Sequence, residues 1–430
     1  MTALVFNCAF NGLSIIQELG RRGIDVYALD SFRNVGTTSR YATYRSCPNP
    51  TTDEAGFVEY LLDIADEFDD KPVLIPTNDH WAAAVAHHRE ELAEHYHTGV
   101  ADAETVDLLI DKDAFGEWAT ERDYPVPRSW MGDELDDVPE SAFPVAAKPN
   151  DATGVPDMMF DSTVALLYNR LFGDGSGPEF SAEEQAVVEA LSENRLEVFE
   201  TRDELERFRQ EYEDVIEHFV VQEYVRGMSD QMYTVGVYAN EGEVKGLFTG
   251  RKVRGYPPDI GDCKVGQAQS VPDHLVAMVK SMSEDLGYHG IGEFEFKRDV
   301  ETGEYFLIEV NPRSWSWIGI TPATGVSLPW MAYADQKNTY TFDYQESSVP
   351  DGSVTWVKAF EDLPNSLYFY RRSHPEWTKS LGEWWASIDS DTLVVAELAK
   401  DDPLPTAYAT VLVGRRLVNE TLDGVLERLA

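Results

Sequence analysis

The first 110 residues alternate between two hydrophobic patterns. Short apolar runs, such as Leu4–Phe6, Ile24–Leu29 and Val73–Ile75, are separated by segments in which apolar residues recur at helical spacing, as in residues 13–19. Strands that alternate with helices predict a parallel sheet of the α/β class. We therefore expect a Rossmann-like domain over residues 1–110.

Strand patterns dominate the chain after residue 218, and they predict two antiparallel hairpins. The first joins Met232–Tyr238 to Val244–Thr249, and the second joins Ile291–Phe296 to Tyr305–Val310. Short turns containing Gly, Asn or Glu lie between the paired strands, as hairpins require. This part of the chain is therefore predicted to be α+β.

These patterns divide the chain into four units. The expected boundaries are residues 1–110, 111–220, 221–340 and 341–430. Within the second unit, residues 151–200 are rich in acids and contain the run GDGSGP, which predicts an inserted, mobile and partly helical segment. The sequence assigns no role to the last unit, which mixes Trp, Tyr and Pro with short elements.

Composition limits the partners of the chain. Its 430 residues carry 77 acidic against 35 basic side chains, a formal net charge of −42. Such a charge repels nucleic acid and anionic membranes, which require Lys and Arg patches. We interpret this charge as an adaptation to a high-salt cytoplasm, such as that of a halophilic archaeon, because roughly 1 M salt shortens the Debye length to about 3 Å and screens the self-repulsion. The alternative is an ordinary acidic mesophilic protein, for which this charge would be extreme.

The cysteines and the N-terminus indicate a cytoplasmic location. Cys8, Cys47 and Cys263 have neither zinc-site nor disulfide spacing. The first residues lack the basic region of a signal peptide, and no window is apolar enough for a membrane helix. We expect a soluble, cytoplasmic protein; the sequence does not indicate its oligomeric state.

Dinucleotide binding is one possible function of the first domain. Asp30 ends the second predicted strand, where a ribose-binding acid would lie. The loop Asn7–Gly12, however, holds one glycine where the fingerprint requires three. This pattern argues against NAD.

The second hairpin, GEFEFKRDVETGEYFLIEVNPR, carries the clearest chemistry. Glu293 and Glu295 are two apart on one strand and face the same way, as Glu309 and Asn311 do on its partner. Closing the hairpin brings Glu295 near Glu309. A solvated acidic face is the alternative, but the flanking residues are apolar. Two carboxylates and an amide oxygen, without His or Cys, favour Mg²⁺ over zinc, with nucleotide phosphates completing its shell.

The two strands of this hairpin resemble the metal-binding strands of the ATP-grasp superfamily. The matching patterns are EFEFKRD and LIEVNPR, and the stretch GRKVRGYPPDIGDC is closer to the D-aspartate ligase-like branch of carboxylate–amine ligases. The resemblance covers roughly residues 1–340. It implies a Rossmann-like pre-ATP-grasp domain followed by a two-lobed ATP-grasp fold, with residues 111–220 as the small lobe and 221–340 as the large lobe.

The resemblance also implies residues that bind ATP and the metal. Lys112 and Lys148 match the two phosphate-binding lysines, and Asp230 matches an acid that binds the ribose. The segment linking the lobes, whose backbone and apolar side chains hold the adenine, consists of Gln222, Glu223, Tyr224 and Val225. The metal ligands are Glu295, Glu309 and Asn311, and these also suit Mn²⁺. One departure is the loop Asn150–Pro156, which has a single glycine where the family has a glycine-rich phosphate loop.

Three arginines resemble the family's charge-stabilising residues. Arg251 and Arg254 match residues that face the phosphate, and Arg313 lies two residues beyond Asn311. A bidentate guanidinium suits an acyl-phosphate or a carboxylate. Asn78 and Asp79 follow a parallel strand, where open α/β sheets bind ligands, and are expected to form part of the substrate pocket or an ordinary helix cap.

The implied reaction has two steps. A carboxylate takes the γ-phosphoryl group of ATP, and an amine then displaces phosphate from the acyl-phosphate. Small-molecule carboxylates and amines, amino-acid or peptide-like, are the expected substrates. Two alternatives remain: a bicarbonate-using carboxylase or carbamoyl-phosphate-type enzyme, and a catalytically inactive ATP-binding module.

Overall fold

The computed structural model describes residues 2–149, 196–258 and 261–426. The glycine-poor loop from Asn150 onward and the expected inserted segment, up to residue 195, therefore lie outside the described residues.

The N-terminal sheet is parallel, with the strand order β3-β2-β1-β4. Its strands are β1 (Thr2–Phe6), β2 (Asp25–Asp30), β3 (Ala42–Ser46) and β4 (Val73–Pro76). Strands β1 and β4 are buried along their whole length, as a sheet with helices on both faces requires. The helices of this part are α1 (Phe10–Arg21), α2 (Pro50–Ile64), α3 (Asp79–His87), α4 (Arg89–Leu92), α5 (Ala103–Ile110) and α6 (Lys112–Thr120).

A smaller antiparallel sheet follows, in the order β5-β8-β6-β7. Its strands are β5 (Ser129–Met131), β6 (Val145–Pro149), β7 (Glu197–Phe199) and β8 (Phe219–Glu223). Helix α7 (Arg202–Glu211) packs on it, and the carboxylate of Glu204 accepts a hydrogen bond from the Thr201 backbone N–H at 3.1 Å. Because β8 belongs to this sheet as far as Glu223, the small lobe extends past the expected boundary at residue 220.

The largest sheet runs in the order β13-β12-β9-β10-β11-β15-β16, with β14 beside β10. Its strands are β9 (Met232–Asn240), β10 (Glu243–Tyr256), β11 (Asp262–Ala268), β12 (Gly290–Arg298), β13 (Tyr305–Asn311), β14 (Gln345–Glu346), β15 (Val354–Val357) and β16 (Thr392–Val395). Both predicted hairpins, β9–β10 and β12–β13, are present in antiparallel register. The remaining helices are α8 (Asp273–Asp285), α9 (Leu328–Gln336), α10 (Ala359–Pro364), α11 (Tyr370–Ser373), α12 (Leu381–Ile388) and α13 (Pro403–Leu426).

The C-terminal unit is part of this large sheet and not an appendage. Strand β15 pairs with β11, and β16 extends the sheet beyond it. Farther on, Asp402 is fully buried and accepts hydrogen bonds from Gln17 (2.9 Å), Ser39 (2.6 Å) and the Arg40 backbone N–H (2.9 Å) of the N-terminal domain. The last unit therefore contacts both the large sheet and the N-terminal domain.

The large sheet has one face that matters for the site, here called the front face. Directly opposed residues share a face, so Glu295, Thr234 and Gly250 lie together on it. Trp315 and Trp317 cover part of this face. Gly236 makes room for Trp315 and Gly250 for Trp317, since added Cβ atoms would lie 2.2 and 2.6 Å from those rings. Aromatic packing therefore holds the loop after β13 against the sheet.

Within the described ranges, no helix combines the length and apolarity needed to cross a bilayer.

Candidate active site

The hairpin β12–β13 brings four polar side chains to the front face. Glu295 lies directly opposite Glu309, and Glu293 directly opposite Asn311. The strands continue with buried Phe294, Phe296 and Val310 on the other face, so packing fixes which way the acids point. The sequence had placed Glu295, Glu309 and Asn311 together, and the structure brings them to one end of the hairpin.

The two opposed carboxylates are electrostatically strained. Burial raises the pKa of Glu295 to about 7; Lys252 opposes this rise, and the neighbouring Glu309 adds to it. Burial acts in the same direction on Glu309, yet its pKa lies below the ordinary value because Lys112, Lys148 and Arg313 favour the ionised form. A divalent cation would relieve the repulsion between two half-buried carboxylates placed directly opposite one another.

The donor set fits a magnesium ion that is shared with a ligand. Among the described residues, no group of three or more His, Cys, Asp or Glu side chains is arranged to hold a metal. An all-protein cage is therefore not built here. Mg²⁺ does not need one, because it takes one or two carboxylates and completes its octahedron with water and phosphate oxygens. Glu295, Glu309 and Asn311 would supply the protein's share.

Arg313 connects this group to the N-terminal domain. Its Nε and Nη2 donate to Asp79 Oδ2 at 3.1 and 2.8 Å, and Nη2 also donates to Asn311 Oδ1 at 2.9 Å. Asp79 opens helix α3, whose N-cap is Asn78: the Asn78 side chain accepts from the His80 backbone N–H at 3.1 Å. Asn78 thus serves as a helix cap, whereas Asp79 reaches the site.

Lys112 and Lys148 face the acids across a cleft between the two lobes. Lys112 begins α6, and Lys148 lies near the end of β6, where its Nζ donates to Gln222 Oε1 at 3.1 Å. The empty space of the cleft, including its mouth open to solvent, is about 550 Å³. It is lined by Asp79, Leu109, Ile110, Lys112, Phe115, Gly116, Val126, Pro127, Lys148, Gln222 and the run Leu307–Pro312.

The charge distribution marks this cleft as an anion site. Of the twelve lysines in the chain, Lys112 and Lys148 line the cleft, and Lys252 is buried beside Glu295 on the front face. Lysine is seldom buried without a partner. Ammonium groups placed here in a chain of net charge −42 favour a phosphate-bearing ligand.

Lys252 is the residue that the sequence missed. Its Nζ lies 3.9 Å from Glu295 Oε1 and 3.4 Å from the Gly261 carbonyl oxygen. It follows Gly250 by two residues and therefore shares the front face, whereas its neighbour Arg251 lies opposite Tyr233 on the other face. Alternation along the strand could have identified Lys252, had the register with β9 been known.

The structure places Arg251 and Arg254 away from the cleft, contrary to expectation. Arg251 donates from Nε to the Asp230 carbonyl oxygen at 2.6 Å and lies over the Tyr233 ring. Arg254 is 1% exposed and forms a bidentate pair with Asp362, at 3.0 and 2.8 Å. Its position opposite Val265 puts it on the back of the sheet. Both arginines therefore contact protein groups and are not among the residues that line the cleft.

The segment linking the lobes lies at the cleft only in part. Gln222 lines the cleft, but Glu223 pairs with Arg128 at the surface, where the Arg128 Nε to Glu223 Oε1 distance is 3.0 Å. Tyr224 lies beneath the Lys297 ammonium, 4.8 Å from its ring centre, and Val225 is buried. The expected ribose ligand does not line the cleft: the carboxylate of Asp230 lies 3.6 Å from Arg251.

Replacing Arg254 is expected to cost stability and not ligand affinity. Arg254→Met would leave Asp362 buried with an uncompensated charge, which typically costs about 3–5 kcal/mol of unfolding free energy. Urea denaturation measures the loss of unfolding free energy. The control is Arg209→Met, whose arginine belongs to an exposed ion pair and whose replacement should cost less than about 1 kcal/mol. The double variant Arg254→Met/Asp362→Leu should recover much of the loss. If a folded Arg254→Met variant bound the nucleotide more weakly than the parent, Arg254 would have to be counted among the ligand-binding residues after all.

Comparisons with known proteins bear on the fold and the relatives of the chain. No family model matches the chain. The chain is 25% identical over 345 residues to the D-aspartate ligase of Enterococcus faecium, covering 76% of this chain and 73% of that one.

Solved structures with the same architecture include three enzymes. The biotin carboxylase of Campylobacter jejuni matches with a TM-score of 0.56 at 12% identity, over 80% of this chain and 72% of its own. The L-amino acid ligase of Bacillus licheniformis gives 0.53 at 16%, over 78% and 74%. The N5-carboxyaminoimidazole ribonucleotide synthetase of Thermotoga maritima gives 0.51 at 15%, over 81% and 78%. The expected fold is confirmed: a two-lobed ATP-grasp fold after a Rossmann-like domain.

Proposed function

We propose that this chain is a Mg²⁺- and ATP-dependent ligase that joins a carboxylate to an amine through an acyl-phosphate, releasing ADP and phosphate. The observation that carries the proposal is the half-buried, directly opposed pair Glu295–Glu309, of which Glu309 lines a cleft together with Lys112 and Lys148. Acids on one side and ammonium groups on the other are what a metal–triphosphate complex requires.

The two walls of the cleft act on ATP in different ways. Lys112 and Lys148 bind phosphate oxygens from the small lobe, and Gln222 holds the Lys148 ammonium in place. A Mg²⁺ ion on Glu295, Glu309 and Asn311, or Mn²⁺ in its place, would neutralise charge on the β- and γ-phosphates. Phosphoryl transfer needs such positioning and neutralisation more than a protein nucleophile.

Arg313 and Lys252 stabilise the substrate side of the reaction. The carboxylate oxygen attacks the γ-phosphorus, the bond to the β-phosphate oxygen breaks, and ADP leaves. Arg313 is held by Asp79, Asn311 and the Ser314 carbonyl oxygen, which use four of its five N–H groups, and its charge with the remaining Nη1 N–H binds the carboxylate. Lys252, next to Glu295 on the front face, neutralises charge on the acyl-phosphate. The amine then adds to the acyl carbon and phosphate leaves.

An amino-acid substrate fits the polar groups at the N-terminal edge of the site. The Oδ1 atom of Asp79 is buried and has no hydrogen-bond partner among the described residues, while Oδ2 is held by Arg313. A carboxylate oxygen beside a guanidinium suits a molecule that carries both an ammonium and a carboxylate. The named activities of the two similar ligases, on D-aspartate and on L-amino acids, point to the same class.

The test is a substrate screen with purified protein in molar salt, which the net charge calls for. Amino acids and small carboxylates are supplied with Mg²⁺-ATP and a panel of amines, and ADP release is measured. ADP release that requires both a carboxylate and an amine supports the ligase. Release stimulated only by bicarbonate would indicate a carboxylase-type enzyme, and tight ATP binding with no turnover would indicate an inactive module.

Removing one phosphate-binding ammonium is expected to weaken nucleotide binding. Lys148→Met should raise the Kd for Mg²⁺-ADP about 10- to 100-fold, because a hydrogen bond to a charged group is worth roughly 1.5–3 kcal/mol. Isothermal titration calorimetry measures the change. Lys400→Met, at an exposed position, removes the same charge from the molecule and should leave the Kd unaltered. Equal affinities for Lys148→Met and the parent would contradict the assignment.

A further inference from the structure

One row of hydrogen bonds crosses the small antiparallel sheet and includes the Lys148 ammonium. Lys148 Nζ donates to Gln222 Oε1 at 3.1 Å, and Gln222 Nε2 donates to Ser129 Oγ at 3.1 Å. Ser129 Oγ in turn donates to the Pro127 carbonyl oxygen at 3.4 Å. Every bond of the row therefore points the same way, from the lysine of β6 through β8 to the segment that leads into β5.

The strand register puts the three side chains of the row on one face of the sheet. Gln222 lies directly opposite Ser129 on one neighbouring strand and Ala146 on the other, and opposed residues share a face. Lys148 is two residues beyond Ala146 and therefore shares that face as well. The next residue along β8, Val221, points the other way and is buried in the core of the small lobe. The row is thus fixed by the pairing of three strands.

Only one orientation of the Gln222 amide satisfies both of its neighbours. A lysine ammonium donates hydrogen bonds and accepts none, so the amide must turn its oxygen toward Lys148. The amide NH₂ then faces Ser129, whose hydroxyl accepts this bond while it donates its own hydrogen to Pro127. Ser129 therefore gives the donor end of the amide a partner and keeps the oxygen end directed at the lysine.

Helix α6 lies against this row. A Cβ added at Gly116 would lie 3.7 Å from Ser129 Oγ, so the helix that begins with Lys112 contacts the serine hydroxyl. Gly116, Gln222 and both lysines line the cleft. The Ser129 hydroxyl therefore lies between the helix that carries one of these lysines and the amide that holds the other.

We infer that Ser129 is a positioning residue for phosphate binding: it orients the Gln222 amide, and the amide oxygen holds the Lys148 ammonium at the cleft. The inference rests on the proposed function, which assigns Lys148 to the phosphates of ATP. An unrestrained lysine side chain has many rotamers, and a ligand that binds it must order it. A lysine that is already held loses less conformational entropy when the nucleotide binds, so the nucleotide binds more tightly.

The experiment measures nucleotide affinity by isothermal titration calorimetry in molar salt. Ser129→Ala should raise the Kd for Mg²⁺-ADP about 2- to 10-fold, the range expected for the loss of one neutral hydrogen bond. Adenosine, which has no phosphate, should bind to Ser129→Ala as it binds to the parent when it is measured by displacement of ADP. Ser348→Ala, at an exposed position, controls for the loss of a hydroxyl and should leave both affinities unaltered.

A double-mutant cycle shows whether the effect of Ser129 passes through the lysine. In the Lys148→Met background, Ser129→Ala should cause no further loss of Mg²⁺-ADP affinity. A parental Kd in Ser129→Ala, the same loss in the Lys148→Met background, or an equal loss of adenosine affinity would overturn the inference and leave the proposed function standing. Thermal melting verifies that each variant is folded. A Lys148→Met variant that binds Mg²⁺-ADP like the parent would refute the phosphate role of Lys148 in the proposed function, and the inference with it.

Discussion

Glu309→Gln is expected to reduce Mg²⁺-ATP-dependent ADP release by on the order of 1,000-fold. The substitution keeps the shape of the side chain but removes one of the two opposed charges that would hold the cation. Glu309 is also the acid on which Lys112, Lys148 and Arg313 act most directly, since they lower its pKa despite burial. Its loss leaves those three cations unbalanced and the phosphates without their counterion.

The measurement is steady-state ADP release with a saturating carboxylate and amine. Glu304→Gln, near the turn of the same hairpin and exposed, removes the same charge and should retain parental rates. Nucleotide binding without metal should persist in Glu309→Gln, because both lysines remain. A Glu309→Gln variant within tenfold of the parent would show that the opposed acids do not hold the catalytic cation.

Arg313→Met is expected to lower kcat/KM for the carboxylate by about 100- to 1,000-fold, with little change in the Kd for Mg²⁺-ADP. The guanidinium bridges Asp79 and Asn311, and it is the group that we assign to the substrate carboxylate. Arg313→Lys should recover little. A lysine is a point charge and cannot maintain two hydrogen bonds in fixed directions while facing a carboxylate.

Separate measurements of KM and nucleotide affinity distinguish this role from a structural one. Arg313→Met should raise KM for the carboxylate and lower kcat together, while the melting temperature falls modestly. Arg209→Met, in an exposed pair, serves as the arginine control. If Arg313→Met kept the parental kcat/KM, or if the substitution affected only the kinetics with ATP, the assignment of Arg313 to the substrate carboxylate would be wrong.

Local patterns made the acids of the site predictable. Alternation placed Glu293 with Glu295 and Glu309 with Asn311, and the turn between the strands set them opposite one another. Packing of the apolar neighbours on the other face then leaves the acidic side chains little choice of direction. A hairpin is a short-range structure, so sequence spacing alone fixes its register to within a residue or two.

The arginines were misplaced because their direction depends on irregularities in long-range pairing. Arg254 is two residues beyond Lys252 and should share its face, but the pairing of β10 with β11 shifts register on both sides of Arg254. The shift turns Arg254 to the back, where Asp362 from the C-terminal unit meets it. Neither the bulge nor a partner more than 100 residues away is visible in a local pattern.

The C-terminal strands escaped prediction for a similar reason. Strand β15 has four residues and is buried along its whole length, so it shows no alternation. It is recognisable only through its pairing with β11, far back in the chain. Asp79 differs: its position after a parallel strand suggested a ligand site, and its pairing with Arg313 emerged only from the packing of two domains.

The most direct test locates the cation itself. Crystals grown with ADP and Mn²⁺ would give an anomalous difference peak at the metal. We expect the peak between Glu295 and Glu309, at about 2.0–2.2 Å from their oxygens, with Asn311 Oδ1 in its shell and the phosphates on the side of Lys112 and Lys148. A nucleotide bound in the cleft with its Mn²⁺ away from both glutamates would contradict the assignment of this hairpin as the metal site.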